Sequence, residues 1–439
     1  MPKWPNIAEQ LSFRLRSLDR IYRSSLAGDT AVYVGSTIVN AAIPFLLLPF
    51  LARWLGPSDF GLTALFFAAV NVMAVFIGLS AHGMISVTYF RDGPEALAPQ
   101  TGAAVGISVV MYAVMLLAIS ILPRSALGIL GVPETWLWAV MLTAMFQSIQ
   151  MAASAVFQTR RQPLLFAAAQ IGYGVGLATM TVVLIGWQSY DWTGRALAQM
   201  IAAGSISILA LIVLSSTKGI NWNVTSWRMR EALHFGVPLL PHAIGGVAMA
   251  SIDRFALANT EGTVAVGRYF VAMQIASLML VLATAASQAW SPWLFERLAL
   301  NGNKEKRDIV KLSYLIFSIL GLFGVFIALA APIIVRIVAG PGYESAIGLL
   351  RILAPAYAFI AMYHFVTGFL FYEKRTGLLS IITITVALLQ TALCFGLGKL
   401  YGPTGVATGT LLAYFIYFQL VWYFARRLHP LSWRFGIFR

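Results

Sequence analysis

Charge is what this sequence has least of. Only 10% of its 439 residues are Asp, Glu, Lys or Arg, while 59% are hydrophobic and the mean hydropathy is +0.80. Soluble domains carry about 25% charged side chains. The chain has too little polar surface to cover a globule in water, so lipid must be its main solvent. A single cysteine, Cys394, excludes an internal disulfide, and its place inside an apolar run reads as packing. The five histidines (His82, His234, His242, His364, His429) are scattered, and no HExxH or Cys/His cluster is present, so no metal site is expected. No GxxxxGK[ST] occurs, which argues against ATP hydrolysis, and nothing calls for a cofactor. The first 28 residues contain no apolar run of the kind a cleavable signal peptide needs. Their "RLRSLDRIYRSS" reads instead as a short basic amphipathic helix on the membrane surface.

What is there, in quantity, is apolar runs of about 20 residues, each able to cross a bilayer as a helix. The short alternating segments of a membrane β-barrel are missing. Crossings are expected at 31–51, 62–88, 101–122, 136–158, 164–187, 195–215, 234–257, 267–293, 312–337, 345–371, 377–398 and 404–425. Of the 30 basic residues, 22 fall in the termini and alternate joins, and five (Arg53, Arg124, Arg195, Arg268, Lys399) in the opposite joins. The positive-inside rule then puts both termini in the cytoplasm. The formal charge of +14 is mostly this asymmetry plus attraction to anionic headgroups, with no nucleic-acid partner required. The expected organisation is a basic segment at 1–28, a six-helix half at 29–217, a linker at 218–233, a second half at 234–427 and a tail at 428–439.

The halves read as a repeat. Gly61 in "DFGLTALFFAAV" and Gly267 in "AVGRYFVAMQ" each precede an arginine, Arg91 and Arg297, by 30 residues. "RRQPLL" and "WTGRALA" in the first half resemble "KRTGLL" and "PTGVATG" in the second. Two six-helix halves that begin and end on one side are related by a pseudo-two-fold axis along the membrane normal, as in transporters that rock two parallel halves around a central cavity.

Polar groups within the crossings are the candidates for function. Asp253 and Arg254, in "MASIDRFAL", fall near the outer end of the seventh crossing, and Arg351, Arg336 and Arg53 near the same face. As adjacent helical residues, Asp253 and Arg254 are expected to face different ways and to need partners on other helices. His364 and Tyr357 lie deeper in the tenth crossing, while Arg91 and Arg297 mark the inner ends of the second and eighth.

"NAAIPFLLLPFLARWLGPSDFGLTALFFA" resembles the opening of the Wzx-type polysaccharide flippases of the MOP superfamily, whose fold is MATE-like. So does "HFGVPLLPHAIGGVAMASIDRFALANTEGTVAVGRYFVA", with Gly236, Pro238, Pro241, Asp253, Arg254, Gly267 and Tyr269 on the family pattern. The resemblance implies an all-α membrane protein of a bacterial cytoplasmic membrane. It would carry an undecaprenyl-pyrophosphate-linked oligosaccharide outward by alternating access, without enzymatic chemistry, beside a polysaccharide polymerase and chain-length machinery. Arginines suit the anionic headgroup. A cation antiporter of the same fold would need intramembrane carboxylates, and Asp253 is the only acid within an expected crossing. A lipid II flippase and a membrane glycosyltransferase or polymerase are the further alternatives, the latter disfavoured by short outer loops.

Overall fold

The computed structural model describes residues 7–123, 128–300, 302–431 and 433, with side chains at 28 and from 31 onward except those of 288 and 289. Every regular element among them is helical. Helix α1 (Ile7–Gly78) has 72 residues, but the backbone at Gly56 (φ 67, ψ 170) is not helical. A straight helix of that length would run about 1.5 Å per residue, roughly three bilayer cores. Gly56 takes the left-handed φ and Pro57 opens the next helix with its φ already set, so the chain turns back there. The second crossing is completed by α2 (His82–Asp92). Then come α3 (Leu97–Ile121), α4 (Leu137–Thr159), α5 (Pro163–Thr181) with a π turn at Val182–Trp187, and α6 (Trp192–Ser216).

A short helix, α7 (Ser226–Gly236), leads through a Pro-containing turn into α8 (Leu240–Thr260). The second half continues with α9 (Thr263–Leu300), α10 (Asn303–Val338), α11 (Ala346–Tyr372) and α12 (Thr376–Leu428), the last broken at Gly402. Ten stretches of described residues are long and apolar enough to cross a membrane. The two longest, Ala31–Asp92 and Thr376–Leu428, each turn back at a glycine, which makes twelve crossings in two sets of six.

The repeat is written into the backbone. Gly56 and Gly262, 206 residues apart, carry positive φ at the turns after the first and seventh crossings. Arg161 and Lys374, 213 apart, do the same after the fourth and tenth. Two features depart from the sequence expectation. The second crossing is interrupted at Leu79 and Ser80, both at positive φ, and the seventh, inside the apolar stretch Ser226–Thr260, changes from α to 3-10 geometry at Val237–Leu239, where Pro238 and Pro241 cannot donate to a continuous helix. The expected surface helix of the basic N-terminal segment, Arg124, and Arg434 and Arg439 of the tail lie outside the described residues or side chains.

The halves meet through α1 and α9 at the face opposite the basic joins. Gly61 packs so tightly on α9 that a Cβ there would come within 2.0 Å of the Thr263 carbonyl oxygen; one on Gly267 would come within 1.9 Å of that of Pro57. Around this contact lie Phe60 and Phe270, with ring centroids 5.2 Å apart, Tyr343 edge-on to Phe60, and Ser58 Oγ 3.0 Å from Thr263 Oγ1. Small residues let membrane helices approach closely enough for backbone packing to hold them.

Candidate functional site

The second half is filled with its own side chains. Tyr363 and Tyr417 stack at 4.0 Å and share a 2.6 Å hydrogen bond, Tyr417 pairs with Thr383 at 2.7 Å, and Tyr357 packs edge-on against Tyr414. The first half is hollow. A cavity of about 800 Å³ lies between crossings of the first half and α8. Its wall runs from Gln158 and Phe166, at the ends of α4 and α5 near the basic joins, to Asn71, Tyr173 and Ser251 at mid-height. Beyond that level the Gly61–Gly267 contact closes the molecule. The cavity therefore reaches the basic face and is sealed from the other.

The wall is mostly apolar in area, and its polar groups include no carboxylate, lysine or arginine among the described residues. On α4, Gln147, Gln150, Ser154 and Gln158 recur at helical spacing and so share one face. Asn40 on α1 donates to Gln170 on α5 at 3.3 Å, and Gln150 Nε2 donates to the Ala203 carbonyl at 3.2 Å. From α8, His242, Gly246 and Ala250 present one small-residue face. Ser80 and His82 enter where the second crossing is interrupted, so the strained backbone sits at the cavity edge. Non-glycine residues held at positive φ cost of order 1–3 kcal/mol each and concentrate at functional sites.

Three of the sequence candidates come together. Asp253 and Arg254 are both buried, and Asp253 Oδ1 lies 3.5 Å from Arg254 Nε while also accepting from the Arg254 backbone N–H at 2.8 Å. Tyr357 is within electrostatic reach of both. The expectation that neighbours in sequence would point apart is corrected: the guanidinium folds back along α8, donating to the Ala250 carbonyl and approaching Ser251 Oγ, which carries it past its own carboxylate. Ala250 and Ser251 line the cavity, so Arg254 sits directly behind its wall.

The remaining candidates stand elsewhere. Arg53 Nη2 donates to the Ile337 carbonyl at 3.0 Å, tying the first half to the turn after α10. Arg336 is exposed near Glu344, whose carboxylate is held below its usual range by its own backbone N–H and that of Gly342. Arg351 is exposed, and His364 is half-buried against Tyr363, away from the cavity. At the basic face Arg91 pairs with Asp92 and Glu231, and Arg228 with the same two acids, joining α2 to α7. Its repeat counterpart Arg297 pairs with Asp308 at 3.1 Å.

Two features escaped the sequence. Arg195, counted there with the outer joins, is buried in the first turn of α6 and donates to Thr181 Oγ1 at 3.1 Å, within reach of Tyr173. The carboxamides of the wall drew no notice because they carry no charge; the i, i+3, i+7, i+11 spacing on α4 is the signal that marks them.

The molecule thus has a close contact between its halves at one end and a carboxamide-bearing hollow at the other. The polysaccharide biosynthesis protein family model matches residues 26–297, well over half of the sequence. The chain belongs to that family. This polysaccharide biosynthesis protein is 24% identical over 403 residues to a putative O-antigen transporter of Escherichia coli (strain K12), covering 87% of this chain and 91% of that one. Its fold matches an inward-facing multidrug resistance MATE family transporter of the MOP superfamily with a TM-score of 0.68 at 16% identity, over 90% of this chain and 99% of the other. The lipid II flippase MurJ in an inward closed conformation matches with 0.68 at 15% identity, over 92% and 87%. The protein is thus a multi-pass membrane protein of the polysaccharide biosynthesis family, with the fold seen in the MATE transporter and in MurJ.

Proposed function

We propose that the protein carries a lipid-linked oligosaccharide, on undecaprenyl pyrophosphate, from the cytoplasmic to the outer leaflet of a bacterial cytoplasmic membrane, supplying O-antigen, capsule or exopolysaccharide assembly. The observation that carries this is the cavity of about 800 Å³, set with carboxamides, walled by both halves, reaching the basic face and sealed opposite. By the positive-inside rule the basic face is cytoplasmic, so the form described is loaded from inside. The glycan enters among the carboxamides while the polyprenyl chain stays in lipid. Release follows when the Gly61–Gly267 contact opens and the basic face closes.

In this reading Asp253 and Arg254 form a neutral pair behind the wall in the loaded-from-inside form, and Arg254 turns to the pyrophosphate as α8 moves. Arg53 and Arg336 form the outer rim with Arg351, and Arg91 and Arg297 the inner one. Tyr357 positions the pair, and His364 packs within the second half. No bond in the substrate is made or broken, and a polymerase with chain-length machinery takes the product. A cation antiporter is disfavoured because no described residue of the wall is acidic.

The test reconstitutes the protein in vesicles loaded with a fluorescent undecaprenyl-pyrophosphate trisaccharide. Chemically unchanged lipid reaching the opposite leaflet supports the proposal. Covalent product with no leaflet exchange, or proton-coupled uptake of a cationic dye in its place, would sink it.

A further inference from the structure

We infer that the cavity selects uncharged glycans, built from hexoses and N-acetylhexosamines, over sugars bearing carboxylate, sulfate or phosphate. The inference rests on the transport reading above and adds the chemical class of the headgroup's sugars.

Six carboxamides, Asn40, Asn71, Gln147, Gln150, Gln158 and Gln170, converge on the cavity from three helices. A carboxamide offers two donors and an acceptor with two lone pairs. Sugar hydroxyl and acetamido groups likewise both give and take hydrogen bonds, so each can be met whichever way it points. The Asn40–Gln170 and Gln150–Ala203 bonds fix three of these groups without exhausting them. Gln150 keeps its side-chain carbonyl oxygen for a ligand, and the side chains of Asn71 and Gln158 make no hydrogen bond to a described residue.

A carboxylate placed in this space would find no partner of opposite charge. Desolvating an unpaired charge is far costlier than desolvating a hydroxyl that regains its bonds. The nearest buried cations are committed: Arg254 to Asp253 and the Ala250 carbonyl, Arg195 to Thr181 beyond the cavity roof. The titratable groups on the wall itself are His82, His242 and Tyr173. Phe166 and Tyr173 add aromatic faces of the kind on which sugar C–H surfaces rest. The volume lies toward the upper part of the about 300–1,000 Å³ typical of ligand sites, which suits several rings rather than one ion.

The experiment uses the full-length protein in vesicles and two undecaprenyl-pyrophosphate trisaccharides of equal length, one neutral and one with a single hexuronic acid. Runs are made at mildly alkaline pH, where imidazoles are uncharged. A membrane-impermeant glycosidase reads arrival at the far leaflet. The neutral lipid is expected to cross at least about tenfold faster, since an unpaired buried charge is penalised by more than that factor requires. The paired substitution Gln150→Arg, Gln158→Lys should narrow or reverse the ratio. Equal rates in the unsubstituted protein, or a faster uronate, would overturn the inference and leave the transport reading standing. If neither lipid crosses, the transport reading falls and takes the inference with it.

Discussion

Gly61 and Gly267, placed at equivalent positions of the two halves by the sequence, lie against one another's helices where the halves meet. Each backbone N lies 3.0 Å from where the other's Cβ would be. The contact is reciprocal, so a methyl on either residue pushes the halves apart at the sealed face. Gly61→Ala is expected to shift the protein toward the form open on that side. An introduced cysteine among residues near 58 should then react with an impermeant maleimide added outside, where the unsubstituted contact protects it. Unchanged protection would show that the contact is not the seal.

Ser58 and Thr263 flank the same contact with their hydroxyl oxygens 3.0 Å apart. In a Cys394→Ala background, Ser58→Cys with Thr263→Cys should form a disulfide under mild oxidation. Transport should stop on oxidation and return with a reductant. Full transport by the crosslinked protein would mean the halves need not part here.

The Asp253–Arg254 pair is buried on both sides, with side-chain exposure of 4% each. Removing one partner leaves a buried unpaired charge, which costs about 3–5 kcal/mol. Asp253→Asn or Arg254→Gln alone should lower thermal stability strongly, and the double substitution should lose less than the two losses combined. Arg254→Lys should retain stability better than transport, because the forked geometry is lost. Additive losses would argue that the two side chains do not act as a pair.

Asn71→Leu with Gln158→Leu should slow vesicle transport at least about tenfold while leaving the melting temperature near that of the parent, since neither side chain bonds to a described residue and the loss falls on ligand hydrogen bonds. Tyr417→Phe is the contrast. It removes two hydrogen bonds within the packed second half, to Tyr363 and Thr383, should lower stability by about 1–3 kcal/mol, and should leave the preference among sugars unchanged. A shift in that preference would place the second half in recognition.

The frame was legible because its determinants are local. Apolar run length, the Gly56-Pro57 and Gly402-Pro403 turns and the matched Gly61 and Gly267 all act within a few residues. The site was less so. Asp253 and Arg254 were visible as charges, but their pairing depends on the arginine's rotamer, which helix spacing alone does not determine. Arg195 looked like a join residue because a burial boundary one turn wide decides between headgroup and helix core. The wall carboxamides are read only when polar residues in apolar helices are searched by helical face rather than by charge.

Every described residue that lines the cavity falls between positions 40 and 251, in one unbroken segment of the chain. The seal, by contrast, pairs Gly61 inside that segment with Gly267 outside it, so closure is written in both stretches and the cavity wall in one. A graft of that segment from a relative should bring the donor's choice of sugar with it. Changes confined to the α9 side of the seal, at Thr263 and Gly267, should retune the rate of cycling and the stability of the sealed form, with the cargo unchanged.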